Sequence, residues 1–208
     1  MTLTLRYMQL ADVPQVITID KLSFDPPWSA RSYNYEITES GYSHMVVLEQ
    51  EVTPRPPSGL RRLVQSISGA QPDTMTRQIV GYGGLWHIVD EAHISTIATH
   101  PDERGKGFGE VVLAGMVRRA LTLNAGYIVL EVRVGNVTAQ TLYKKWEFEI
   151  VDTKPRYYHN NGEDAYDMRL NLNDLARRER IHKRFAELAY EYDVTDHYTD
   201  TPPPHGQT

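Results

Sequence analysis

The 208-residue sequence contains no cysteine. That absence excludes a disulfide framework, a thiolate metal site and a cysteine nucleophile, and it suits a reducing cytoplasm, the expected compartment. Long apolar runs are missing as well. No stretch of eighteen apolar residues occurs, so no membrane partner is expected, and Met1–Leu10 mixes polar and apolar residues as an edge strand does, unlike a signal peptide. Positive charge is not in excess. The net charge is −5 and the pI near 5.9, which argues against direct nucleic-acid binding and is compatible with a basic acceptor. The eight histidines lack the His-Glu-x-x-His spacing of a zinc helix. No metal is expected, and His93 and His100 read as structural or exposed. There are no internal repeats.

What is present is an alternation of strand and helix signals. Leu3–Met8 reads as a first strand. Asp12, as a cap, and Pro14, in the first turn, open a helix that the Asp25-Pro26-Pro27 break ends, and Ser29 or Ser32 starts a second helix to about Glu39. Strands follow at His44–Val52, Ile79–Val89 and Ala92–Thr99. A helix over 107–123, a doubly buried strand at Tyr127–Val134, a helix at Asn136–Trp146 and late strands at Phe148–Lys154 and Ala165–Leu170 complete the order. The pattern predicts a mixed α/β layer fold over residues 1–170. Two segments stand apart. Residues 53–77, rich in proline and arginine, read as an inserted loop. Residues 171–208 read as an added amphipathic helix, with Leu175, Ile181, Phe185, Leu188 and Tyr192 as its apolar stripe, followed by a polar tail.

The most informative stretch is Arg104-Gly105-Lys106-Gly107-Phe108-Gly109, between a strand and a helix. Three glycines in five positions leave backbone N–H groups uncovered at the positive end of a helix, an arrangement that binds phosphate or pyrophosphate. The Walker pattern is absent and the dinucleotide spacing is wrong. A plain glycine turn that starts a helix is the competing reading.

Arg104-x-x-Gly107-x-Gly109 resembles the coenzyme A pyrophosphate loop of the GCN5-related N-acetyltransferases (GNAT). The likeness extends further. Ser23-Phe24-Asp25-Pro26-Pro27-Trp28-Ser29 is similar to the substrate-side loop of the ribosomal-protein-alanine (RimI-type) branch. Ile97-Ala98-Thr99-His100-Pro101, Leu130-Glu131-Val132-Arg133-x-x-Asn136, Leu142-Tyr143 and Arg156-x-Tyr158 resemble further pieces of that branch. One departure stands out: Trp146-Glu147-Phe148 replaces the usual Gly-Phe. If that position needs a positive φ, glutamate costs on the order of 1 kcal/mol.

The resemblance implies a GNAT fold, a mixed central β-sheet flanked by helices with an added C-terminal helix, and acetyl-CoA as cosubstrate. It implies that Glu131 deprotonates the acceptor amine through water and that Tyr143 protonates the departing thiolate. On pattern alone, Glu131 also reads as a salt-bridged strand glutamate, with Arg133 as a partner, and Tyr143 as a core aromatic. Desolvation of a half-buried carboxylate would raise its pKa, which suits a base. Acetyl-CoA is expected to meet Ile97, Ala98, Thr99, Arg104, Gly105, Lys106, Gly107, Phe108, Gly109 and Asn136. Asn136 also reads as a plain N-cap. Trp28, Tyr33 and Tyr158, with Tyr157, are the candidate acceptor contacts, and Trp28 reads equally as a core plug. Freeing an α-amine at pH 7 costs about 1 kcal/mol, against about 4.6 for a lysine. That favours a protein N-terminus as acceptor, and the branch points to the alanine of a small-subunit ribosomal protein. A small-amine acetyltransferase and a coenzyme A-binding sensor are the alternatives. Monomer and homodimer remain open.

Overall fold

The computed structural model describes residues 2–52 and 76–202. Most of the expected 53–77 insertion lies outside the described residues. Eight strands form one sheet in the order β6-β7-β5-β4-β3-β2-β1-β8. They are β1 (Leu3–Tyr7), β2 (Ser43–Val52), β3 (Thr76–Ile88), β4 (Glu91–Thr99), β5 (Tyr127–Arg133), β6 (Glu149–Tyr158), β7 (Glu163–Asn171) and β8 (Val194–His197). Five α-helices accompany them among the described residues: α1 (Val13–Ser23), α2 (Ala30–Thr38), α3 (Phe108–Thr122), α4 (Val137–Lys145) and α5 (Leu175–Glu191).

Both faces of the sheet are covered, which is why β2 runs apolar without a break from Met45 to Leu48. Val46 and Leu48 face a core built with α3 and α5. Met45 and Val47 face a second core with Val13, Val16 and Ile19 of α1 and Tyr33 of α2. Gly83 lets α3 lie close to the sheet, because a Cβ there would meet Met116 at 2.8 Å.

Most neighbours are antiparallel, but β4 and β5 are parallel and pair only over Glu91–His93 and Tyr127–Val129. Beyond His93 the ladder stops while both strands continue. The gap leaves backbone groups of β4 without a strand partner on that side and creates a cleft in mid-sheet. A bulge opposite Gly84/Leu85 reshapes β4 beside this gap.

Three local expectations are corrected. Asp12 does not cap α1 with its side chain. Its carboxylate accepts from Gln9 N–H and pairs with Arg6 at 2.7 Å. Leu175 is exposed, at the start of α5 before the stripe meets α3, whereas Ile181, Phe185 and Leu188 are buried. The expected polar tail contains β8, parallel to β1. The open edge of β1 supplies it with ladder partners, and the Tyr198 side chain beyond it is fully buried, its hydroxyl donating to the His44 carbonyl at 2.9 Å.

Candidate functional site

The glycine loop lies on one side of the cleft. Gly105 and Gly107 have φ of +76° and +81°, a region that L side chains avoid. Gly107 is the N-cap of α3, and among the described residues no side-chain cap bonds the first amides of that helix. Any side chain at Gly107 would strike the Tyr192 hydroxyl at the end of α5. The loop and the first turn of α3 wall a groove of about 590 Å³, which Ile97, Ala98 and Thr99 of β4 and Asn136, Ala139 and Tyr143 complete. The size suits a small-molecule site, and free amides at a positive helix end fit a pyrophosphate.

Most of the predicted cofactor residues meet here. Arg104 crosses the loop, donating to Ser23 Oγ at 3.1 Å and to the Thr99 carbonyl at 3.4 Å. Gly109 allows contact with Thr99, whose Oγ1 would lie 3.1 Å from a Cβ there. Phe108 is among the lining residues and is also buried in the core. Lys106 does not line the groove. Its ammonium bonds Glu103 at 2.6 Å. Asn136 does cap α4, its side chain accepting from Ala139 N–H at 3.1 Å, and it also borders the groove.

A second groove of about 420 Å³ opens on the other side of the cleft. Ile97, Asn136, Ala139 and Tyr143 line both, so the two meet at this wall. The second groove lies between the loop after α1 (Ser23, Phe24, Asp25, Pro26, Trp28) and the end of β6 (Tyr157, Tyr158), with Glu131 and Arg133 of β5 at its base. Asn160 Nδ2 donates to Asp25 Oδ2 at 3.3 Å, tying the β6–β7 turn to that loop. The Arg133 guanidinium lies 3.7 Å from the Tyr158 ring centre.

Glu131 and Tyr143 therefore line one groove. Glu131 does not pair with Arg133, which bonds Glu163 at 2.9 Å. Its Oε2 lies 2.8 Å from His93 Nε2 and its Oε1 2.5 Å from Lys154 Nζ. The expected upward shift is corrected. The hydrogen bond from His93, with that from Lys154, outweighs burial and lowers the Glu131 pKa to about 2. Burial instead pushes the Tyr143 hydroxyl above its ordinary value, so it is protonated at neutral pH.

Trp28 lines the second groove, half-buried, and its ring stacks on Trp86 at 6.3 Å. Tyr158 lines it as well, and burial raises its pKa to about 12. Tyr33 does not. It is fully buried in the α1–α2 core, where its hydroxyl donates to Asp20 at 2.8 Å. The aromatic next to Trp28 in the pattern is a core residue because α2 turns it inward against Tyr82.

Residues 15–148 match the acetyltransferase (GNAT) family. The chain belongs to that family. A candidate [ribosomal protein bS18]-alanine N-acetyltransferase of Bacillus subtilis (strain 168) is 32% identical over 169 residues, covering 81% of this chain and 95% of that protein. An N-alpha-acetyltransferase of Saccharolobus solfataricus is 29% identical over 171 residues, 79% of this chain and 90% of that one. The crystal structure of the ribosomal-protein-S18-alanine N-acetyltransferase from Escherichia coli shares the fold, with a TM-score of 0.62 at 22% identity over 83% of this chain and 95% of that chain.

Within this GNAT acetyltransferase, sequence reasoning missed His93, Lys154 and Asp167. His93 joins Glu131 because β4 and β5 pair up to that residue. Lys154 reaches it across β7, which lies between β5 and β6 although it follows both in the chain. The charge alternation along Lys154–Asp167 carries no trace of that strand order.

Proposed function

We propose that this acetyltransferase moves the acetyl group of acetyl-CoA to the α-amine of a protein N-terminus, with the N-terminal alanine of a small-subunit ribosomal protein as its acceptor. The observation that carries the reading is the pair of grooves meeting at one wall. One has free helix-end amides for a pyrophosphate, the other has a carboxylate at its base, and Tyr143 borders both.

In this reading, Ile97 and Thr99 offer backbone groups to the pantetheine arm, and the loop amides hold the pyrophosphate. The bound ammonium first loses one proton to water, and Glu131 receives through water the proton that the nitrogen sheds as it bonds the acetyl carbon. The Tyr143 hydroxyl, protonated at neutral pH, donates to the thiolate as it leaves. The amine nitrogen bonds the acetyl carbon, the carbon–sulfur bond breaks, and coenzyme A departs as a thiol. The choice of an N-terminus has two supports. An α-amine ionises near the working pH, whereas a lysine must first lose a proton at a cost of about 4.6 kcal/mol. The second is the similarity to an N-alpha-acetyltransferase of S. solfataricus, 29% identical over 79% of this chain. The ribosomal acceptor rests on the relatives from B. subtilis and E. coli.

The test is thiol release from acetyl-CoA with two peptides, one with a free N-terminal Ala-Arg-Tyr and one N-terminally blocked with a single internal lysine. Release with the first alone is expected. Release with the second alone, or with a polyamine and neither peptide, would refute the N-terminal reading.

A further inference from the structure

Both oxygens of Glu131 are engaged, and one of them by an ammonium. Lys154 Nζ lies 2.5 Å from Glu131 Oε1 and 3.2 Å from Asp167 Oδ2. In the β5–β7 ladder Glu131 and Asp167 are direct partners, so two carboxylates stand side by side and Lys154 reaches both from β6. Asp167 is the less satisfied of the two. Its Oδ1 is buried and makes no hydrogen bond among the described residues, an expensive state for a carboxylate oxygen. Lys154 thus has a second resting place already built and incompletely filled.

An acceptor amine approaching Glu131 in its common state is also an ammonium, with the same charge and the same N–H donors as Lys154. We propose that Lys154 holds the acceptor's seat on Glu131 and yields it by moving fully onto Asp167 when the acceptor ammonium arrives. Lys154 is a positioning residue in this scheme, and the exchange rests on the reading of Glu131 as the group that meets the acceptor amine. The move conserves charge at every stage: one cation leaves Glu131 as another joins it, and the Asp167 Oδ1 orphan gains a donor. His93 stays on Oε2 throughout and keeps the carboxylate turned toward the groove. The other groups near Glu131 are the phenols of Tyr157 and Tyr158 on β6, while Arg133 is turned to Glu163. Lys154 is half-buried on the strand at the sheet edge and lies 5.7 Å from the Tyr157 ring centre, so it can move without disturbing a core.

The scheme gives opposite signs to two substitutions. Lys154→Met removes the competitor and should lower the acceptor KM by about threefold or more. Asp167→Asn removes the alternative seat and should raise it. In the Lys154→Met background Asp167→Asn should have little effect, because there is no longer a lysine to receive. Lys154→Arg, whose planar fork grips a carboxylate with two hydrogen bonds, should raise the acceptor KM. The KM for acetyl-CoA, bound on the far side of the shared wall, serves as the folding control. A higher or unchanged acceptor KM in Lys154→Met would overturn the proposal, as would an Asp167→Asn effect of equal size in both backgrounds. Glu131→Gln separates the layers. If it stops the chemical step while Lys154→Met leaves the acceptor KM alone, only the seat-holding scheme fails. If it retains full turnover, the reading beneath the scheme fails too.

Discussion

Glu131 has a different electrostatic setting from the one its sequence context suggests. A carboxylate in the middle of an apolar strand is expected to be hard to ionise, but hydrogen bonds from His93 and Lys154 dominate here and bring it to about 2. A group whose pKa is lowered keeps its charge until the pH falls close to that value. Glu131 therefore stays ionised across the whole working range, and the acceptor sets the pH dependence. The expected kcat/KM profile for a free N-terminal peptide rises with pH to about 8, where the α-amine loses its proton, with no carboxylate break between about pH 4 and 5. A break in that interval, at about the ordinary carboxylate pKa, would mean that the His93 and Lys154 contacts do not persist in solution. Tyr143→Phe should keep the fold and slow the chemical step by about 10²-fold or more, the usual scale for losing a general acid. Full activity in a single-turnover assay would remove that role. The candidate acid and base were both legible in the sequence through resemblance. Tyr33 was misread because an aromatic near the start of the helix that follows Trp28 looks the same from sequence whether it faces a groove or a core.

At the scale of elements, the turn after α4 explains how the chain tolerates its departure from the family pattern. Glu147 has φ of +63°, the conformation for which glycine is the usual choice. Its carboxylate accepts from Arg177 at 2.9 Å and from Arg180 at 2.8 Å, both on α5, and the Arg180 contact leads in lowering its pKa to about 2. The added helix thus supplies the partners that make a strained glutamate acceptable. Close by, Glu110 in the first turn of α3 accepts from Lys145, Trp146 and Arg184 and so joins α3, α4 and α5 beside the glycine-loop groove. Glu147→Gly should be close to neutral, since relief of about 1 kcal/mol of backbone cost offsets the lost pairs. Replacing Arg177 and Arg180 by alanine together should lower the Tm more, because it leaves the strain without its partners. Thermal unfolding of the two variants decides between these outcomes, and a larger loss in Glu147→Gly would show that the pairs outweigh the strain. The departure was visible in the sequence, but its compensation was not, since residues thirty apart meet only once α5 lies along α3.

For the molecule as a whole, the buried residues around β8 set a stability limit. His44 is 2% exposed, and burial, with the nearby Arg119 charge, lowers its pKa to about 3. Its Nδ1 lies 3.1 Å from the Tyr7 hydroxyl. A histidine is ordinarily half-protonated near 6.5, so the unfolded chain takes up a proton below that pH while the folded chain does not. The resulting stability is complete above about pH 6.5 and is lost by about 1.4 kcal/mol per pH unit on the way down to the folded value. Denaturant unfolding at several pH values should give this slope, and His44→Gln should flatten it. An unchanged slope in that variant would assign the acid sensitivity elsewhere. The mid-sheet cleft arises where the β4–β5 ladder stops and had no sequence pattern, but the strands and the helices that cover them follow from alternation and helical periodicity and were legible because both sheet faces are apolar. The eighth strand was not, because a strand of four residues carries little pattern and its partner lies at the opposite end of the sequence.

That last pairing also has a consequence for the order of assembly. β8 is made long after β1, yet Leu3 stands beside Val194, and Tyr192 touches the glycine loop just before β8 begins. While the chain is being made, the outer edge of β1 stays uncovered and the loop at Gly107 lacks its neighbour. Contacts so far apart in sequence close late. The glycine loop therefore acquires its Tyr192 neighbour only after α5 has been made, and the nascent chain carries an open sheet edge, a site for mispairing, until β8 arrives.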